Sequence, residues 1–371
     1  MVFITIPWFL PSYRAGGPIQ SIANLVDNFN EGIEYRIFCG DTDLNGEHLT
    51  GIVKNEWTNY NAYTKVWYAE SEHTSEIICR EIEHIKPDVL YIIGLFSWHF
   101  NIVPLFFCKA SRKIISARGM LHPGALSQKK IKKRLFLSTI KLLGVAQSTI
   151  FHATNSAEKQ FIRNEFGSGT KVVVAGNFSK ELHAQLPVLK KENYLTIVTI
   201  ALISPMKNHL LVLQALKQCK AFVDYNIYGP IKAEAYWQQC LQAIELLPTN
   251  IKVTYHGALE PRLIEKVLLQ QHVFIMPSKS ENFGHAIAEA LGTGKPVITS
   301  NNTPWNNLDI NKAGMNVAAN VDEIANAISF FASQDEITYN DYSKAAVKYA
   351  KQHLHTTDIL EEYKRMFFEK I

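Results

Sequence analysis

The sequence predicts two α/β domains, each built on a parallel β-sheet. Short, nearly all-apolar runs alternate with helix-length segments along the 371 residues, a pattern typical of parallel strands covered by helices on both faces. The chain is also too long for one ordinary domain, and its strands form two series separated by a polar stretch. The composition, 47% hydrophobic and 19% charged, is ordinary for a folded protein that buries real cores.

The predicted strands of the first series are residues 2–6, 35–39, 89–93, 113–116, 149–153 and 171–174; those of the second are 195–200, 223–228, 252–255, 273–276 and 296–299. The alternation stops near residues 178–193, which gives domains over 1–180 and 190–354. A helix over about 355–371 is expected to pack back on the first domain. Ligands of open parallel sheets bind beyond the carboxyl ends of the strands, so the cleft between the domains is the expected site.

The cysteines predict neither a disulfide framework nor a zinc site. Five of them are scattered along the chain without C-x-x-C spacing, which favours a reducing compartment. The amino terminus lacks the positive region and cleavage site of a signal peptide and is predicted to be a first strand, so we expect a cytoplasmic protein. The uncharged stretch 89–108 divides into strand, loop and short helix better than it forms a membrane span.

The net charge of +4 conceals a concentration of positive charge. No acidic residue occurs between Asp88 and Glu158, whereas ten basic residues fall between Lys109 and Lys141. Segment 128–143 has apolar residues at 131, 135, 139/140 and 142/143 with lysines largely between them, which fits a basic amphipathic helix. One interpretation is docking to the inner membrane surface; the alternative is a solvated helix face above an ordinary core stripe. Aromatic residues are not interleaved with the charges, so nucleic acid is not an expected partner.

The most informative segment is residues 277–300, P-S-K-S-E-N-F-G-H-A-I-A-E-A-L-G-T-G-K-P-V-I-T-S. A buried strand is predicted to end before it, and a helix to begin around Phe283 and Gly284. A helix amino terminus at the carboxyl end of a parallel strand suits a diphosphate. Glu281 lies just before the helix and Glu289 about two turns into it, so both carboxylates could accept hydrogen bonds from ligand hydroxyls. The alternative is that Glu281 caps the helix and Glu289 is a solvated helix residue.

This segment resembles the E-x₇-E signature of family 4 retaining glycosyltransferases, which have two Rossmann-like domains (the GT-B fold) and an interdomain cleft. Further stretches resemble the family in the same order: R-A-G-G-P at 14–18, F-H-A-T-N-S-A-E at 151–158, V-V-V-A-G-N-F at 172–178 and I-S-P-M-K-N at 203–208. N-T-P-W at 302–305 is similar to members that build bacterial surface polysaccharides.

The resemblance implies a role for each matching residue. Glu281 would bind hydroxyls of the donor sugar, Glu289 the ribose, and Lys207 the diphosphate. The remaining donor-binding positions that it implies are Asn282, Phe283 and Gly284 around the sugar and diphosphate, and Gly16 and Gly17 in a loop that closes over it. Tyr228-Gly229 and His256-Gly257 fall at strand ends where the family places its base pocket.

The sequence departs from the family pattern at two positions. Leu202 stands where many members have an arginine, so Lys207 acts alone or Arg14, Arg118 or Lys279 supplies the second cation. Arg118 appears where many members have a catalytic-site histidine, and whether Arg118 or His122 faces the reacting carbon is open. The resemblance implies a metal-independent enzyme; Asp41 and Asp43 form the letters of a D-x-D metal motif, but in a loop after Gly40. The segment G-T-G-K-P at 292–296 lacks the spacing of a phosphate-binding Walker loop.

The resemblance implies a retaining glycosyltransferase that moves a sugar from a UDP- or GDP-type donor to a lipid-linked or oligosaccharide acceptor. The expected process is the synthesis of lipopolysaccharide, capsule or exopolysaccharide, with the enzyme cytoplasmic or peripheral on the inner face of the cell membrane. Two other classes stay open: a nucleotide-sugar epimerase or phosphorylase of the same fold, and an inactive, membrane-bound assembly partner.

Overall fold

The computed structural model describes residues 1–70, 73–126, 130–180, 189–354 and 356–369. The chain divides into two compact units, of which unit 1 is Met1–Phe178 with Thr356–Ile371 and unit 2 is Ser179–His355. Each unit is an α/β layered structure, which confirms the fold class that the strand pattern predicts.

Within the described part of unit 1, eight strands form one sheet in the order β3-β4-β2-β1-β5-β6-β7-β8. Their bounds are β1 Val2–Thr5, β2 Tyr35–Gly40, β3 Trp57–Asn59, β4 Thr64–Ala69, β5 Val89–Ile93, β6 Lys113–Ser116, β7 Ile150–Ala153 and β8 Val172–Val174. All neighbours pair in parallel except β3, which runs antiparallel to β4 at the edge. Every residue of β1 and β5 is buried, as expected for central strands with helices on both faces.

The helices of unit 1 that precede unit 2 connect these strands. They are α1 Gly17–Asn28, α2 Thr74–Ile85, α3 Val103–Phe106, α4 Pro123–Leu126, α5 Lys130–Leu142, α6 Val145–Ser148 and α7 Ser156–Phe166, and a π-helical turn at Trp98–Ile102 leads into α3. The amino end of α7 shows how the sequence sets a boundary, because the Asn155 side chain accepts a hydrogen bond from the Glu158 amide. An Asn at this position satisfies one of the amides that the first helical turn leaves without a partner.

The described part of unit 2 contains a six-stranded parallel sheet in the order β11-β10-β9-β12-β13-β14. Its strands are β9 Tyr194–Ile200, β10 Phe222–Tyr228, β11 Ile251–Tyr255, β12 Val273–Met276, β13 Val297–Ser300 and β14 Gly314–Val317. The helices are α8 His209–Leu216, α9 Glu234–Glu245, α10 Ile264–Leu269 after a 3₁₀ turn at Pro261–Leu263, α11 His285–Gly292, α12 Val321–Ser333 and α13 Glu336–His353. Apolar clusters lie on both faces of this sheet, one built around α8, α9 and α12 and the other around α11 and α13.

The last helix, α14 (Thr356–Phe368), belongs to unit 1. Its Tyr363, Met366 and Phe367 are buried in the same apolar cluster as the β1 and β2 side chains. Glu362 of α14 also accepts a hydrogen bond from the Gly176 amide at 2.8 Å. The core of unit 1 is therefore completed by a helix that follows unit 2 in the sequence.

The structure corrects the expectation drawn from the cysteines. Cys79 and Cys108 form a disulfide, with Cα atoms 5.3 Å apart, while Cys39, Cys219 and Cys240 are free and buried. The two bonded residues are 29 positions apart in the sequence, and they meet because α2 packs against α3. Spacing along the chain could not reveal that contact, so the cysteine pattern gives no support for a reducing compartment.

Residues 89–108 form β5, a loop, the π-helical turn and α3, in agreement with the division predicted from the sequence. Among the described residues, none of the helices has the length and apolar character that crossing a membrane requires. The predicted basic segment 128–143 begins outside the described residues at Gln128 and Lys129, and α5 covers most of the rest.

Candidate active site

Three neighbouring strands of unit 2 supply the predicted donor-binding residues. In the sheet, β12 lies between β9 and β13, and all three run parallel, so their carboxyl ends meet at one edge. Lys207 follows β9, Glu281 follows β12, and the segment that begins at Asn301 follows β13. This edge is where ligands of open parallel sheets bind.

The segment between β12 and α11 leads into the first turn of α11, whose conformation is fixed by Gly284 and by a hydrogen bond from Trp305. Gly284 precedes α11 with φ of 82°, a conformation that disfavours any side chain, and a Cβ there would lie 3.2 Å from Ile287 Cδ1. The indole Nε1 of buried Trp305 donates a 2.5 Å hydrogen bond to the Phe283 carbonyl. These contacts fix the first amides of α11, which form an anion-binding end because the helix itself offers them no acceptors.

The lysine loop after β9 is fastened to the loop after β12 by backbone and amide hydrogen bonds. The Lys279 amide donates to the Met206 carbonyl at 2.9 Å, and the Asn208 side chain donates to the Pro277 carbonyl at 3.1 Å. Asn208 itself adopts φ of 65°, which Asn tolerates better than most residues. The two loops therefore hold each other in place.

These bonds bring two predicted catalytic residues into direct contact. Lys207 Nζ lies 2.5 Å from Glu281 Oε1, and the two side chains are 20% and 10% exposed. The Glu281 amide donates to the Asn302 carbonyl at 3.2 Å, which orients the carboxylate-bearing loop. The pair combines a cation that suits a phosphate with an anion that suits hydroxyl groups, and each neutralises the other in this structure.

Glu289 lies in α11 and is buried. Burial raises the pKa of its carboxyl group to about 7, and the positive charge of Lys180 opposes that rise. No hydrogen-bond donor from the described residues reaches this carboxylate, although a buried charged acceptor normally has one. Glu289 is only 6% exposed, so the interpretation of Glu289 as a solvated helix residue is wrong. Its carboxylate oxygens have no donor among the described residues and keep access to solvent, where a ligand can reach them.

The other residues around the helix start are placed as follows. Asn282 lies in the loop before α11 and Phe283 packs its ring against His285 and Trp305, with centroids 4.7 and 5.6 Å away. Lys295, the lysine of the rejected phosphate-loop segment, is buried with Nζ 3.4 Å from the Leu269 carbonyl. That lysine therefore does not face a phosphate site.

Gly229 follows β10, the neighbour of β9 in the sheet, and Gly257 lies two residues after β11, the next strand outward. The Gly229 amide donates to the Gly257 carbonyl at 2.7 Å, and a Cβ on Gly229 would lie 1.8 Å from the Ala201 carbonyl oxygen, so only glycine fits. The preceding residues, Tyr228 and His256, stack with ring centroids 4.3 Å apart and planes 8° apart. The resemblance points to Tyr228 and His256 together with these glycines, but it does not reveal that the two rings stack.

In unit 1, Gly16 and Gly17 lie at the start of α1, with Gly16 at φ of 74°. The neighbouring Arg14 is held by acidic residues, with Nη2 3.4 Å from Glu47 and Nε 4.0 Å from Asp43. The roles of the two glycines stay predictions, whereas Arg14 already has anionic partners.

Arg118 and His122 follow β6. The Arg118 guanidinium donates to Asn177 Oδ1 at 2.5 Å and to the Tyr91 hydroxyl at 3.0 Å, and its backbone adopts φ of 49°. The His122 ring packs edge-on against Phe161, with centroids 5.2 Å apart. Which of the two faces a reacting carbon stays open, but Arg118 has a clear role in joining β5, β6 and the segment after β8.

The carboxylates of Asp41 and Asp43, which form the D-x-D sequence, already bind other groups of the protein. Asp41 accepts from His48 and Lys54, each at 2.8 Å, and Asp43 accepts from the Ser12 hydroxyl at 2.7 Å and from the backbone of the Arg14 loop. Across the described ranges, no cluster of three His, Cys, Asp or Glu side chains has the arrangement of a metal site.

Residues 170–353, about half of the chain and nearly all of unit 2, match the family model "Glycosyl transferases group 1". No curated protein sequence matches the chain.

Three solved structures illustrate the fold. Anabaena HepE in complex with UDP-glucose has a TM-score of 0.74 at 15% identity, with 98% of each chain covered. Sucrose-phosphate synthase from Thermosynechococcus elongatus has a TM-score of 0.71 at 15% identity, with 99% of this chain and 97% of that one covered.

The third is WaaG, a glycosyltransferase involved in lipopolysaccharide biosynthesis, with a TM-score of 0.69 at 11% identity and both chains covered completely. At these identities the likeness establishes the GT-B fold over the whole chain. The family match covers β9 to α13 and so includes the Lys207–Glu281 pair, the start of α11 and Glu289. The chain is a glycosyltransferase with two parallel-sheet α/β units of the GT-B fold.

Proposed function

We propose that the protein transfers a sugar, with retention of anomeric configuration, from a nucleoside diphosphate donor to a lipid-linked or saccharide acceptor in the synthesis of a surface polysaccharide. The observation that carries the proposal is the Lys207–Glu281 pair beside the start of α11. A diphosphate would bind the Lys207 ammonium group and the first amides of α11. The Glu281 carboxylate, no longer paired with Lys207, would accept hydrogen bonds from the sugar hydroxyls.

The donor in this proposal is a UDP-sugar, with a GDP-sugar as the alternative. Solved structures of Anabaena HepE contain UDP-glucose or UDP with glucose, and this chain shares that fold. Ribose hydroxyls would donate to the buried Glu289 carboxylate and satisfy an acceptor that the described protein atoms leave open. The base would lie near Gly229, Gly257 and the Tyr228–His256 stack.

The proposed reaction breaks the bond between the anomeric carbon and the diphosphate oxygen and forms a bond from that carbon to an acceptor hydroxyl oxygen. The electron pair of the broken bond goes to the diphosphate, and the acceptor proton is transferred to the departing oxygen on the same face. Lys207 and the α11 amides would stabilise the developing negative charge without a metal ion. Glu281 orients the sugar and is not assigned as a nucleophile.

Lys279 is the residue that we assign as the second cation in place of the arginine that Leu202 replaces. The hydrogen bond from its backbone amide to the Met206 carbonyl places Lys279 next to the residue that precedes Lys207. Its side chain is exposed, and none of the described carboxylates forms an ion pair with it. Arg14 and Arg118, the other two candidates, already have the partners described above.

The acceptor side of the proposal places the enzyme at the inner membrane surface, where lipid-linked saccharides are extended. WaaG, which shares the fold, is described as a glycosyltransferase involved in lipopolysaccharide biosynthesis. The positive charge of segment 128–143 supports a position next to anionic lipid.

A thermal-shift screen with UDP-, GDP-, ADP- and TDP-sugars tests the donor, since a ligand that binds only the folded state raises the melting temperature. We expect one nucleotide class to stabilise the protein, and Lys207→Ala to abolish that shift while the exposed control Lys217→Ala keeps it. Product analysis by NMR with and without a saccharide acceptor tests the reaction. A retained anomeric linkage in the product supports transfer.

The other classes give different products in the same assay. Conversion of the sugar without an acceptor would indicate an epimerase, and release of a sugar phosphate in the presence of phosphate would indicate a phosphorylase. Absence of any turnover, with or without membranes, would leave the inactive assembly partner as the correct class.

A further inference from the structure

The segment after β1, residues 6–16, lies at the switch point of the unit 1 sheet. From β1 the chain passes through α1 to β2 on one side, whereas β5 pairs with β1 on the other side. Ligands of doubly wound sheets bind beyond the carboxyl ends of the strands at such a point. We call this segment the β1 loop, and its conformation decides which groups a ligand meets there.

The end of the β1 loop presents bare backbone. Gly16 adopts φ of 74°, a conformation that favours glycine, and a Cβ at this position would meet no atom within 4 Å. The Gly17 amide, the first of α1, donates to none of the described residues, and Pro18 has no N–H group. The backbone at Gly16 and Gly17 is therefore open to an approaching acceptor group.

The Asp43 carboxylate holds the middle of the β1 loop. Its Oδ1 accepts hydrogen bonds from the Ser12 hydroxyl at 2.7 Å and from the Arg14 amide at 3.2 Å, and its Oδ2 accepts from the Tyr13 amide at 3.2 Å. Oδ1 also accepts from the Leu44 amide at 2.7 Å. Hydrogen bonds to an ionised carboxylate are stronger than those between neutral groups, and Asp43 is only 6% exposed. The carboxylate is thus directed at the loop and shielded from solvent.

Asp43 is itself fixed by a closed turn after β2. Its amide donates to the Glu47 carbonyl at 2.9 Å, and its carbonyl accepts from the Gly46 amide at 2.9 Å. The Leu49 amide donates to the Asp41 carbonyl at 2.8 Å and closes the turn. Because β1 and β2 pair in parallel, this turn and the β1 loop leave the same edge of the sheet side by side. The turn therefore gives the loop a fixed support.

We propose that Asp43 is a positioning residue for donor binding: it holds residues 12–14 so that the backbone of Gly16 and Gly17 meets the sugar-bearing phosphate of the nucleoside diphosphate. Asp43 touches no substrate in this role and acts only through the β1 loop. The inference rests on the proposed function, which supplies the diphosphate. It assigns the second aspartate of the D-x-D sequence to the support of this loop.

The test is calorimetric titration of the full-length protein with UDP and with UMP, or with GDP and GMP if the protein prefers guanine. Asp43→Ala should bind UDP about tenfold more weakly, the order of magnitude for the loss of one charged acceptor. It should bind UMP like the wild type, because UMP lacks the phosphate that the glycines meet. Asp43→Asn should lie between the two for UDP, since it keeps an acceptor for Ser12 but turns an amino group toward the Tyr13 amide.

Asp41→Ala is the matched control. Asp41 lies in the same turn and is 3% exposed, but its carboxylate is bonded to His48 and Lys54, which lie outside the β1 loop. This variant should bind UDP like the wild type. Hydrogen exchange followed by mass spectrometry should show faster exchange of residues 12–16 in Asp43→Ala than in Asp41→Ala, because only Asp43 accepts from the loop amides.

Gly16→Ala tests whether Asp43 acts through the glycines. Alanine is strained at φ of 74°, so this variant should itself weaken UDP binding, and Asp43→Ala should weaken it little further in that background. The inference is overturned if Asp43→Ala binds UDP as tightly as Asp41→Ala does, if the affinities for UDP and UMP fall by the same factor, or if the two losses add in full. If the wild type binds neither UDP nor GDP, the proposed function has failed and the inference falls with it.

Discussion

Lys207 Nζ and Glu281 Oε1 lie 2.5 Å apart although 74 residues separate them in the sequence. The contact forms because β9 and β12 are neighbours in the sheet and their following loops are joined by the Lys279–Met206 and Asn208–Pro277 hydrogen bonds. In the proposed reaction the same two groups separate, one to the diphosphate and the other to the sugar.

This pair predicts a coupled effect on stability. Lys207→Ala leaves a carboxylate that is 10% exposed without its cation and should lower the free energy of unfolding by on the order of 1–2 kcal/mol, less than for a fully buried pair. In Lys207→Ala, Glu281→Ala together the loss should be smaller than the sum of the two single losses. Urea unfolding of the four proteins measures the coupling, and additive losses would mean that the ion pair contributes nothing.

The same substitution predicts a loss of catalysis. Removal of a single group that stabilises charge in a transition state typically lowers kcat by about 10²–10³-fold, and we expect that range for Lys207→Ala. Lys279→Ala should lower kcat by about tenfold, and Lys279→Arg should restore most of it, because either cation can face the leaving diphosphate. Steady-state kinetics with Lys217→Ala as the control measures both, and an unchanged kcat in Lys279→Ala would remove Lys279 from the site.

The raised pKa of Glu289 predicts that donor binding depends on pH. Its carboxyl group must be ionised to accept two ribose hydroxyls, so donor affinity should increase as the pH rises through about 7. Glu289→Gln should bind the donor more weakly and with a flatter pH profile. Calorimetric titration with the nucleotide diphosphate measures both, and a wild-type profile without change near neutral pH would contradict the assignment.

The free energy of unfolding should change with pH in the opposite direction to donor affinity between about pH 4.5 and 7. The folded state holds the Glu289 proton up to about pH 7, whereas the unfolded state releases it near 4.5. Between these values the unfolded state binds fewer protons, so the free energy of unfolding should fall as the pH rises. The contribution is found by subtracting the profile of Glu289→Gln, which has no carboxyl group to titrate at this position.

The hydrogen bond from Trp305 to the Phe283 carbonyl should influence donor affinity, because it fixes the segment before α11. Trp305→Phe removes the hydrogen bond to the Phe283 carbonyl and keeps most of the ring, so it should lower stability by about 1 kcal/mol. Because the carbonyl belongs to the segment that sets the first turn of α11, we also expect a higher Kd for the donor. Trp237→Phe, which changes another buried tryptophan of unit 2, is the control; similar effects of both on the Kd would show a general loss of stability.

Much of the fold follows from short-range pattern. Strands β5, β6 and β12 have the predicted bounds because each contains consecutive buried apolar residues that are visible in the local sequence. The missed strands have weaker signals: β3 has only three residues, β14 contains a glycine and an asparagine, and β4 is interrupted by exposed Lys65. Their pairing with neighbours, which is not local in sequence, decides their structure.

The candidate site follows the same division. The helix start after Gly284 and the position of Glu289 in α11 could be predicted, because turn residues and helical spacing are local. The contact of Lys207 with Glu281 and the Trp305 hydrogen bond could not, because both depend on the order of β9, β12 and β13 in the sheet. The disulfide between Cys79 and Cys108 escaped prediction for a similar reason, since two helices had to be brought together.

The position of α14 in unit 1 has a consequence for synthesis of the chain. Tyr363, Met366 and Phe367 complete a cluster that includes Val2, so unit 1 starts to be made before unit 2 but acquires its full core after it. Unit 2 is continuous in sequence and can close around its own sheet while α14 is still being made. Until then the β1–β2 side of the nascent chain exposes apolar surface, and a chain that stops before α14 should depend on chaperones or be degraded.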